Sequence, residues 1–224
     1  MNTVIQENLQ EIKKSIPSGV ELVAVSKFHP VNELQQAYDA GQRVFGESKV
    51  QELVQKQEAM PKDIRWHFIG HLQTNKVKYI TPFIDMIHSV DSLRLLNEIN
   101  KEAFKANRVV DVLLQIHIAT EQTKFGFSPK ECLDMLRTHT LDEWKNIRIR
   151  GVMGMATFTD DTSQIRKEFQ QLTTLFKELK SELFAHSPYF NELSFGMSDD
   201  YLIAIEEGST LVRIGSSIFG ARNY

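Results

Sequence analysis

The sequence has a single cysteine and no long apolar run. Cys132 has no partner for a disulfide within the chain, and it stands in the helix-like segment SPKECLDMLRTH without an activating neighbour, which indicates a buried structural thiol. Nowhere do about 18 apolar residues follow one another, and the first residues, MNTVIQENLQEIKK, lack the apolar core of a secretion signal. We therefore expect a cytoplasmic protein with no membrane partner.

The sequence also has little excess charge of either sign. Its 26 Lys and Arg residues stand against 29 Asp and Glu residues, the formal net charge is -3, and the isoelectric point is near 6.2. Such a balance gives no broad electrostatic reason to bind nucleic acid. We expect a monomer whose main partner is a small molecule.

No linker divides the chain, because no stretch is rich in Gly, Pro or Ser and no repeat is visible. The 224 residues are near the size of one large domain, so we expect residues 1–224 to form a single domain. Short apolar runs predict eight strands. They are ELVAVS (21–26), RVF (43–45), RWHFI (65–69), IDMIHS (84–89), VDVLLQIHI (110–118), IRIRGVM (147–153), ELSF (192–195) and TLVRI (210–214).

Segments with helical spacing alternate with these runs. They are VNELQQAYDA, SKVQELVQKQEAM, the short TNKVKYI, SLRLLNEINKEAFKAN, SPKECLDMLRTH, SQIRKEFQQLTTLFKELKSELF and SDDYLIAIEE. Alternation implies parallel strands with crossover helices, and eight units favour a single α/β domain of the closed (β/α)8, TIM-barrel type. Little chain follows the eighth strand, so the amphipathic first 16 residues are the candidate to close the helical ring. An open, doubly wound sheet is the alternative, but no G-x-G-x-x-G follows the first strand.

Lys27 stands where the first predicted strand ends, which is where such barrels carry their reactive groups. Strand alternation places Val23, Val25 and Lys27 on one face. If that face is the barrel interior, apolar surroundings favour the uncharged amine, a nucleophile toward aldehydes. A strand-end lysine that turns to solvent explains the segment equally well.

Two glycine loops follow the seventh and eighth strands, at positions where barrels of this type often bind phosphate. They are Gly196-Met197-Ser198 and Gly215-Ser216-Ser217. Glycine permits close backbone approach, and Ser198 is predicted to cap the helix SDDYLIAIEE, whose first amides favour an anion. Ordinary tight turns explain each loop taken alone, but the two together favour a phosphate site.

Arg213 lies in the last predicted strand with the same parity as Leu211 and Gly215. An inward guanidinium beside a pyridine ring acts as the electronic partner of the ring nitrogen. Because arginine stays charged, it discourages protonation of that nitrogen and weakens the ring as an electron sink. A surface salt bridge is the alternative reading of the same residue.

Seven segments, in order along the chain, carry a family resemblance. They read AVSKFHP, FGESKVQE, WHFIGHLQTNKVK, HSVDS, RGVMGMATF, LSFGMSDDY and VRIGSSIFGAR. In these segments, from about residue 20 to residue 222, the chain resembles the pyridoxal phosphate homeostasis proteins, the YggS-like family of small barrels that bind pyridoxal 5′-phosphate (PLP). The resemblance implies a fold like the barrel domain of bacterial alanine racemase.

The resemblance also implies roles for individual residues. By that similarity Lys27 carries PLP as a Schiff base, and Arg213 faces the pyridine nitrogen. The phosphate is expected at Ser198, Gly215 and Ser216, and the remaining lining residues are expected to be Met153, Ser194 and Met197. Ser48 departs from the pattern, since many members have an asparagine there beside the cofactor ring, and the serine hydroxyl that is expected to line the site in its place is shorter.

The function implied by the resemblance is PLP homeostasis, in which the protein keeps a reactive aldehyde bound and passes it to PLP-dependent apo-enzymes. An amino-acid racemase needs acid and base groups on both faces of its cofactor. In alanine racemase a tyrosine of a second domain supplies one of them, and we expect no such domain here because the chain ends two residues after GAR. A weak racemase is therefore the alternative, and a Schiff-base aldolase that uses Lys27 on a phosphorylated sugar is a third hypothesis.

No metal site is expected. His67 and His71 have the i, i+4 spacing of paired metal ligands, but Phe68 and Ile69 between them indicate the end of a strand, not a helix that aligns two ligands.

Overall fold

Eight parallel strands close into a barrel in the order β1 to β8, with β8 paired to β1. The computed structural model describes residues 2–120 and 125–220. The strands are β1 (Glu21–Val25), β2 (Val44–Glu47), β3 (Arg65–Phe68), β4 (Met86–Val90), β5 (Val110–Gln115), β6 (Ile147–Met153), β7 (Glu192–Ser194) and β8 (Leu211–Ile214). The closed barrel predicted from the sequence is thereby confirmed, and the pairing of β1 with β8 excludes the open sheet.

Helices connect the strands on the outside of the barrel. They are α1 (Val4–Ser15), α2 (Val31–Asp39), α3 (Val50–Ala59), α4 (Val77–Ile80), α5 (Leu93–Lys105), α6 (Pro129–Thr138), α7 (Thr162–Glu182), α8 (Tyr201–Glu206) and α9 (Ser216–Phe219), with short 3-10 turns at Thr74–Lys76 and Leu141–Glu143. Among the described residues no helix is both long and apolar enough to cross a membrane.

All eight predicted strands are present, but the fifth is shorter than expected. It ends at Gln115 and not at residue 118, because beyond it the amide of His117 bonds to the carbonyl of Phe127 and not to a neighbouring strand. Residues 121–124 of the loop that follows, and Ala221 and Arg222 of the last sequence motif, lie outside the described residues.

Helix α1 completes the outer ring, as its amphipathic pattern predicted. The helix after β8, α9, has only four residues, and α1 packs between α9 and α2. Thr3 forms a capping box with Gln6 at the start of α1, and Ile5 and Leu9 are the side chains that it buries.

The barrel interior differs from the core beneath the helices. The outer core is large and apolar, whereas the apolar side chains inside the barrel are few: Val23, Val44, Met86, Leu113, Met153 and Leu211. The presence of Val23 and Leu211 inside confirms the strand parity on which the positions of Lys27 and Arg213 were predicted. The barrel interior also contains a column of buried polar side chains, and the candidate site is built on this column.

Candidate functional site

Lys27 lies in the turn directly after β1, at the carboxyl end of the barrel, and it is half-buried. The next residue, Phe28, has a φ of 69°, in the left-handed region that a bulky side chain rarely adopts. Backbone strain of this kind persists only where surrounding contacts hold it, and it is common at functional sites. The turn that carries Lys27 is therefore held by its neighbours.

A buried ionic cluster supplies those contacts. Lys56 of α3 donates to the carbonyl of Ser26 at 2.8 Å, and the amide of Phe28 donates to Glu52 Oε1 at 2.7 Å. The two anchored groups flank Lys27 on both sides. Lys56 also bonds to Glu47 and Glu52 at 2.7 Å each, and the Ser26 hydroxyl donates to Glu47 at 2.6 Å. The end of β2 and helix α3 together fix the backbone that presents Lys27.

Glu47 is the most buried member of this cluster, with no exposed surface. Burial raises the pKa of Glu47, and the ammonium of Lys56 and the hydrogen bonds from Lys56 and Ser26 oppose that rise. Its second oxygen, Oε2, has no hydrogen-bond partner among the described residues. One lysine is thus shared by two carboxylates directly behind the Lys27 turn.

The two glycine loops meet at the same end of the barrel. The amide of Gly215 donates to Ser198 Oγ at 3.3 Å, which ties the loop after β8 to the loop after β7. The prediction that Ser198 caps a helix is wrong: α8 begins at Tyr201, and Asp200 is the residue before it. The turn differs because the side chain of Asp200 folds back and accepts from the amide of Met197.

These loops leave donors without acceptors. The amides of Ser198, Asp199, Ser216 and Ser217 donate to no group in the part of the chain that the structure describes. Gly215 allows the loop to lie close to β1, since a Cβ added there would stand 3.0 Å from the carbonyl oxygen of Val25. Backbone amides in such a turn form a concave site for an anion.

Arg213 points into the barrel and is almost fully buried, as its parity predicted. Its two terminal nitrogens donate to the carbonyls of Ser194 and Gly154 at 2.8 and 3.0 Å, and one of them also donates to Ser194 Oγ at 2.7 Å. Burial lowers the pKa of Arg213 to about 10, and the charge of Asp200 opposes that shift, so the guanidinium remains a cation at neutral pH. Its Nε bonds to no residue within the described ranges.

Ser194, His88 and His67 continue from Arg213 through the barrel interior. Ser194 Oγ lies 2.9 Å from His88 Nδ1, His88 Nε2 lies 2.9 Å from His67 Nδ1, and His67 Nε2 lies 3.3 Å from Asp85 Oδ2. Apart from the rejected metal site at His67, the sequence alone predicted no role for either histidine. Strand alternation in RWHF and MIHSV was the available signal, because it places both side chains on the inner face.

The remaining predicted residues take different positions. Ser48 directly follows β2 and packs against Gly70, where an added Cβ would stand 2.5 Å from the Ser48 carbonyl oxygen. Met153 is buried inside the barrel, and Met197 is exposed in the same loop as Ser198. His67 and His71 lie in a strand and a loop, as expected, and the described residues contain no cluster of three or more His, Cys, Asp or Glu able to hold a metal ion.

The strand ends therefore bring together an amine at Lys27, unpaired backbone amides at two adjoining loops, and a buried cation at Arg213. An aromatic aldehyde that carries a phosphate group and a ring nitrogen meets a suitable partner at each of these three places.

Comparison with known proteins identifies the family of this chain. Residues 3–223 match the family model of the alanine racemase N-terminal domain. A pyridoxal phosphate homeostasis protein of Aquifex aeolicus is 42% identical over 205 residues, which span 91% of this chain and 88% of the relative. The chain belongs to the pyridoxal phosphate homeostasis family.

Solved structures of similar proteins share the barrel of this family. PipY of Synechococcus elongatus, 35% identical, covers 96% of this chain over its whole length, with a TM-score of 0.90 without PLP and 0.86 with PLP bound. Alanine racemase from E. faecalis, 18% identical, has a TM-score of 0.75, and the match covers 97% of this chain but 58% of the racemase. The racemase comparison shows the common fold alone.

Proposed function

We propose that this protein binds PLP and serves its homeostasis, holding the cofactor as a Schiff base on Lys27. The observation that carries the proposal is the convergence of Lys27, the paired glycine loops and Arg213 at one end of the barrel. The names of the Aquifex relative and the PLP-bound PipY structure support the choice of cofactor. Release of the bound aldehyde to PLP-dependent apo-enzymes completes the proposed role.

Each part of the site has a task in holding the cofactor. The amine of Lys27 condenses with the aldehyde, forming a C=N bond and releasing one water. The phosphate lies on the amides near Ser198, Gly215 and Ser216, with the hydroxyls of both serines as further donors. Arg213 presents Nε to the pyridine nitrogen. Ser194 holds Arg213, and Ser48, Met153 and Met197 line the pocket.

The electronics of this arrangement favour retention over turnover. PLP supplies an electron sink in amino-acid chemistry, and that sink is strongest when the ring nitrogen is protonated. A cationic Arg213, held by three acceptor atoms, opposes that protonation. We therefore propose that the bound cofactor undergoes little turnover with amino acids.

The competing function is a weak amino-acid racemase, and one pair of residues bears on it. His71 Nδ1 lies 3.0 Å from Asp91 Oδ2 in the loops after β3 and β4, at the same end of the barrel as Lys27. An imidazole paired with a carboxylate is a suitable acid–base group. Racemisation that depends on both Lys27 and His71 would establish this alternative.

Absorbance and covalent trapping test the proposal. Purified protein incubated with PLP should gain a visible absorption band, and borohydride reduction followed by peptide mapping should place the pyridoxyl group on Lys27. Lys27→Ala should lose both signals. Lys49→Ala is the matched control, because Lys49 lies nearby, with its ammonium 4.6 Å from the centre of the Phe28 ring, and should keep both.

The possible outcomes separate the hypotheses. Attachment at Lys27 without measurable conversion of common amino acids supports the proposal. A protein that takes up no PLP, yet is trapped by borohydride on a phosphorylated ketose, would instead be the Schiff-base aldolase. Sustained racemisation that disappears in Lys27→Ala would contradict the claim of little turnover.

A further inference from the structure

The polar column inside the barrel is an unbroken hydrogen-bonded chain of five side chains. It runs from Arg213 through Ser194, His88 and His67 to Asp85, with each consecutive pair within 3.3 Å. The first four are buried, whereas the side chain of Asp85 is 43% exposed. This hydrogen-bonded chain thus extends from the candidate cofactor site to the carboxylate of Asp85, which lies in the loop before β4 at the opposite end of the barrel.

The two ends of the chain determine the direction of every bond in it. Arginine can only donate and an ionised carboxylate can only accept. Arg213 donates to Ser194 Oγ, so the serine proton is available for His88 Nδ1. His88 then donates from Nε2 to His67 Nδ1, and His67 donates from Nε2 to Asp85. If both imidazoles carried their proton on Nδ1 instead, His67 Nε2 and the Asp85 carboxylate would be two acceptors facing each other. The proton of Ser194 would then have no acceptor among the described residues.

The electrostatics of His88 and Asp85 agree with this order. Burial lowers the pKa of His88 well below its ordinary value, and the charge of Arg213 lowers it further, so His88 is neutral. Burial alone would raise the pKa of Asp85, but the hydrogen bond from His67 and the charges of Arg65 and Arg108 bring it below the ordinary value. Asp85 is therefore an ionised acceptor at neutral pH.

We propose that His88 and His67 are positioning residues, both held as neutral imidazoles protonated on Nε2, whose one-directional chain of hydrogen bonds fixes the Ser194 hydroxyl and, through it, Arg213. This order of protons is a property of the cofactor-free protein. Its consequence for the cofactor rests on the proposed function: with both terminal nitrogens of Arg213 engaged, Nε is the nitrogen left for the pyridine ring.

Nuclear magnetic resonance of the cofactor-free protein tests the proton order. Ring nitrogens that carry a proton and those that do not resonate far apart, so 15N-labelled histidine reports each tautomer directly. We expect His67 and His88 to have protonated Nε2 and bare Nδ1 at neutral pH. Asp85→Ala, at a partly exposed side chain, assigns His67 because it removes the acceptor of its Nε2 proton. A proton on Nδ1 of His88, or a doubly protonated His67, would overturn the proposal.

Two substitutions of His88 test the consequence for the cofactor. Glutamine can accept from Ser194 and donate to His67, so His88→Gln preserves the direction of the chain. Leucine fills similar space but leaves the Ser194 hydroxyl and His67 Nδ1 without partners. We expect His88→Leu to raise the PLP dissociation constant about tenfold and His88→Gln to change it by about twofold at most. Ser194→Ala should behave as His88→Leu does.

The two proposals fail in distinguishable ways. If His88→Leu and His88→Gln weaken PLP binding equally, the role of His88 is one of packing and the positioning proposal is refuted. If His88→Leu does not fold, the tautomers of the wild-type protein and the affinity of Ser194→Ala still decide the matter. If the wild-type protein does not bind PLP at all, the proposed function fails, while the tautomers still test the proton order.

Discussion

Gly215 shows at the scale of one residue how the barrel brings Lys27 and the phosphate loop together. A Cβ at this position would stand 3.0 Å from the carbonyl oxygen of Val25, two residues before Lys27. Backbone oxygen cannot turn aside as a flexible side chain can, so a methyl group must push the loop away from β1. Small displacements of this kind have large effects on bound groups.

We therefore expect Gly215→Ala to raise the dissociation constant for PLP about tenfold with only a small loss of stability. Gly208→Ala is the control. Gly208 has a φ of +98° and no atom within 4 Å of an added Cβ, so alanine there should cost about 1 kcal/mol of unfolding free energy and leave PLP affinity unchanged. Spectroscopic titration with PLP and urea unfolding measure the two effects. Equal PLP affinity in Gly215→Ala and the wild type would show that the close approach does not shape the site.

At the scale of elements, the contact between β2 and α3 organises the turn after β1. Lys56 is shared by Glu47, Glu52 and the carbonyl of Ser26, and its side chain is only 5% exposed. Removing one partner of a buried ion pair leaves an uncompensated charge, which typically costs about 3–5 kcal/mol. The loss of unfolding free energy on removal of Lys56 depends on whether Glu47 is ionised, and therefore on pH.

Lys56→Met should destabilise the protein more at pH 7 than at pH 5. The pKa of Glu47 is already raised above the ordinary glutamate value of 4.5 in the folded state, and loss of the Lys56 ammonium raises it further. Because the pKa of Glu47 is higher in the folded than in the unfolded state, protonation of Glu47 stabilises the folded protein. This contribution is fully present below pH 4.5 and is lost as the pH rises through the folded-state pKa. The double variant Glu47→Gln/Lys56→Met should lose this pH dependence. Urea unfolding at both pH values provides the measurement, and an equal loss at the two values would contradict the argument.

The strands and helices were predictable from the sequence, but the contacts between them were not. Short apolar runs predicted eight strands and their alternation with helices, because local periodicity determines both. Strand parity also predicted that Arg213 points inward. The His67–His88–Ser194 chain depends on the register of β3 against β4 and on the meeting of β4 with β7 across the barrel, which no local pattern contains. The cap assigned to Ser198 was wrong because α8 begins only at Tyr201; the hydroxyl of Ser198 instead accepts from Gly215 of another loop, a contact that no local pattern contains.

At the scale of the whole molecule, the barrel is closed, so every strand is hydrogen-bonded to two neighbouring strands. The sequence predicted one domain over residues 1–224 and a monomer, and both remain predictions. A closed parallel barrel has no free edge at which one part can unfold while the rest keeps its pairing. We therefore expect a single cooperative unfolding transition, although the chain is longer than most two-state domains.

The two tryptophans provide local probes of that cooperativity. Trp66 lies in β3, and Trp144 precedes β6 and donates to Asn97 Oδ1 at 2.8 Å, so the two report on different parts of the barrel wall. Both are buried, and their fluorescence changes when they meet water. In Trp66→Phe the remaining signal comes from Trp144, and in Trp144→Phe it comes from Trp66. Within each variant the fluorescence midpoint in urea should coincide with the midpoint from far-ultraviolet circular dichroism. If fluorescence and dichroism diverge in either variant, that side of the barrel unfolds separately, and the chain contains more than one cooperative unit.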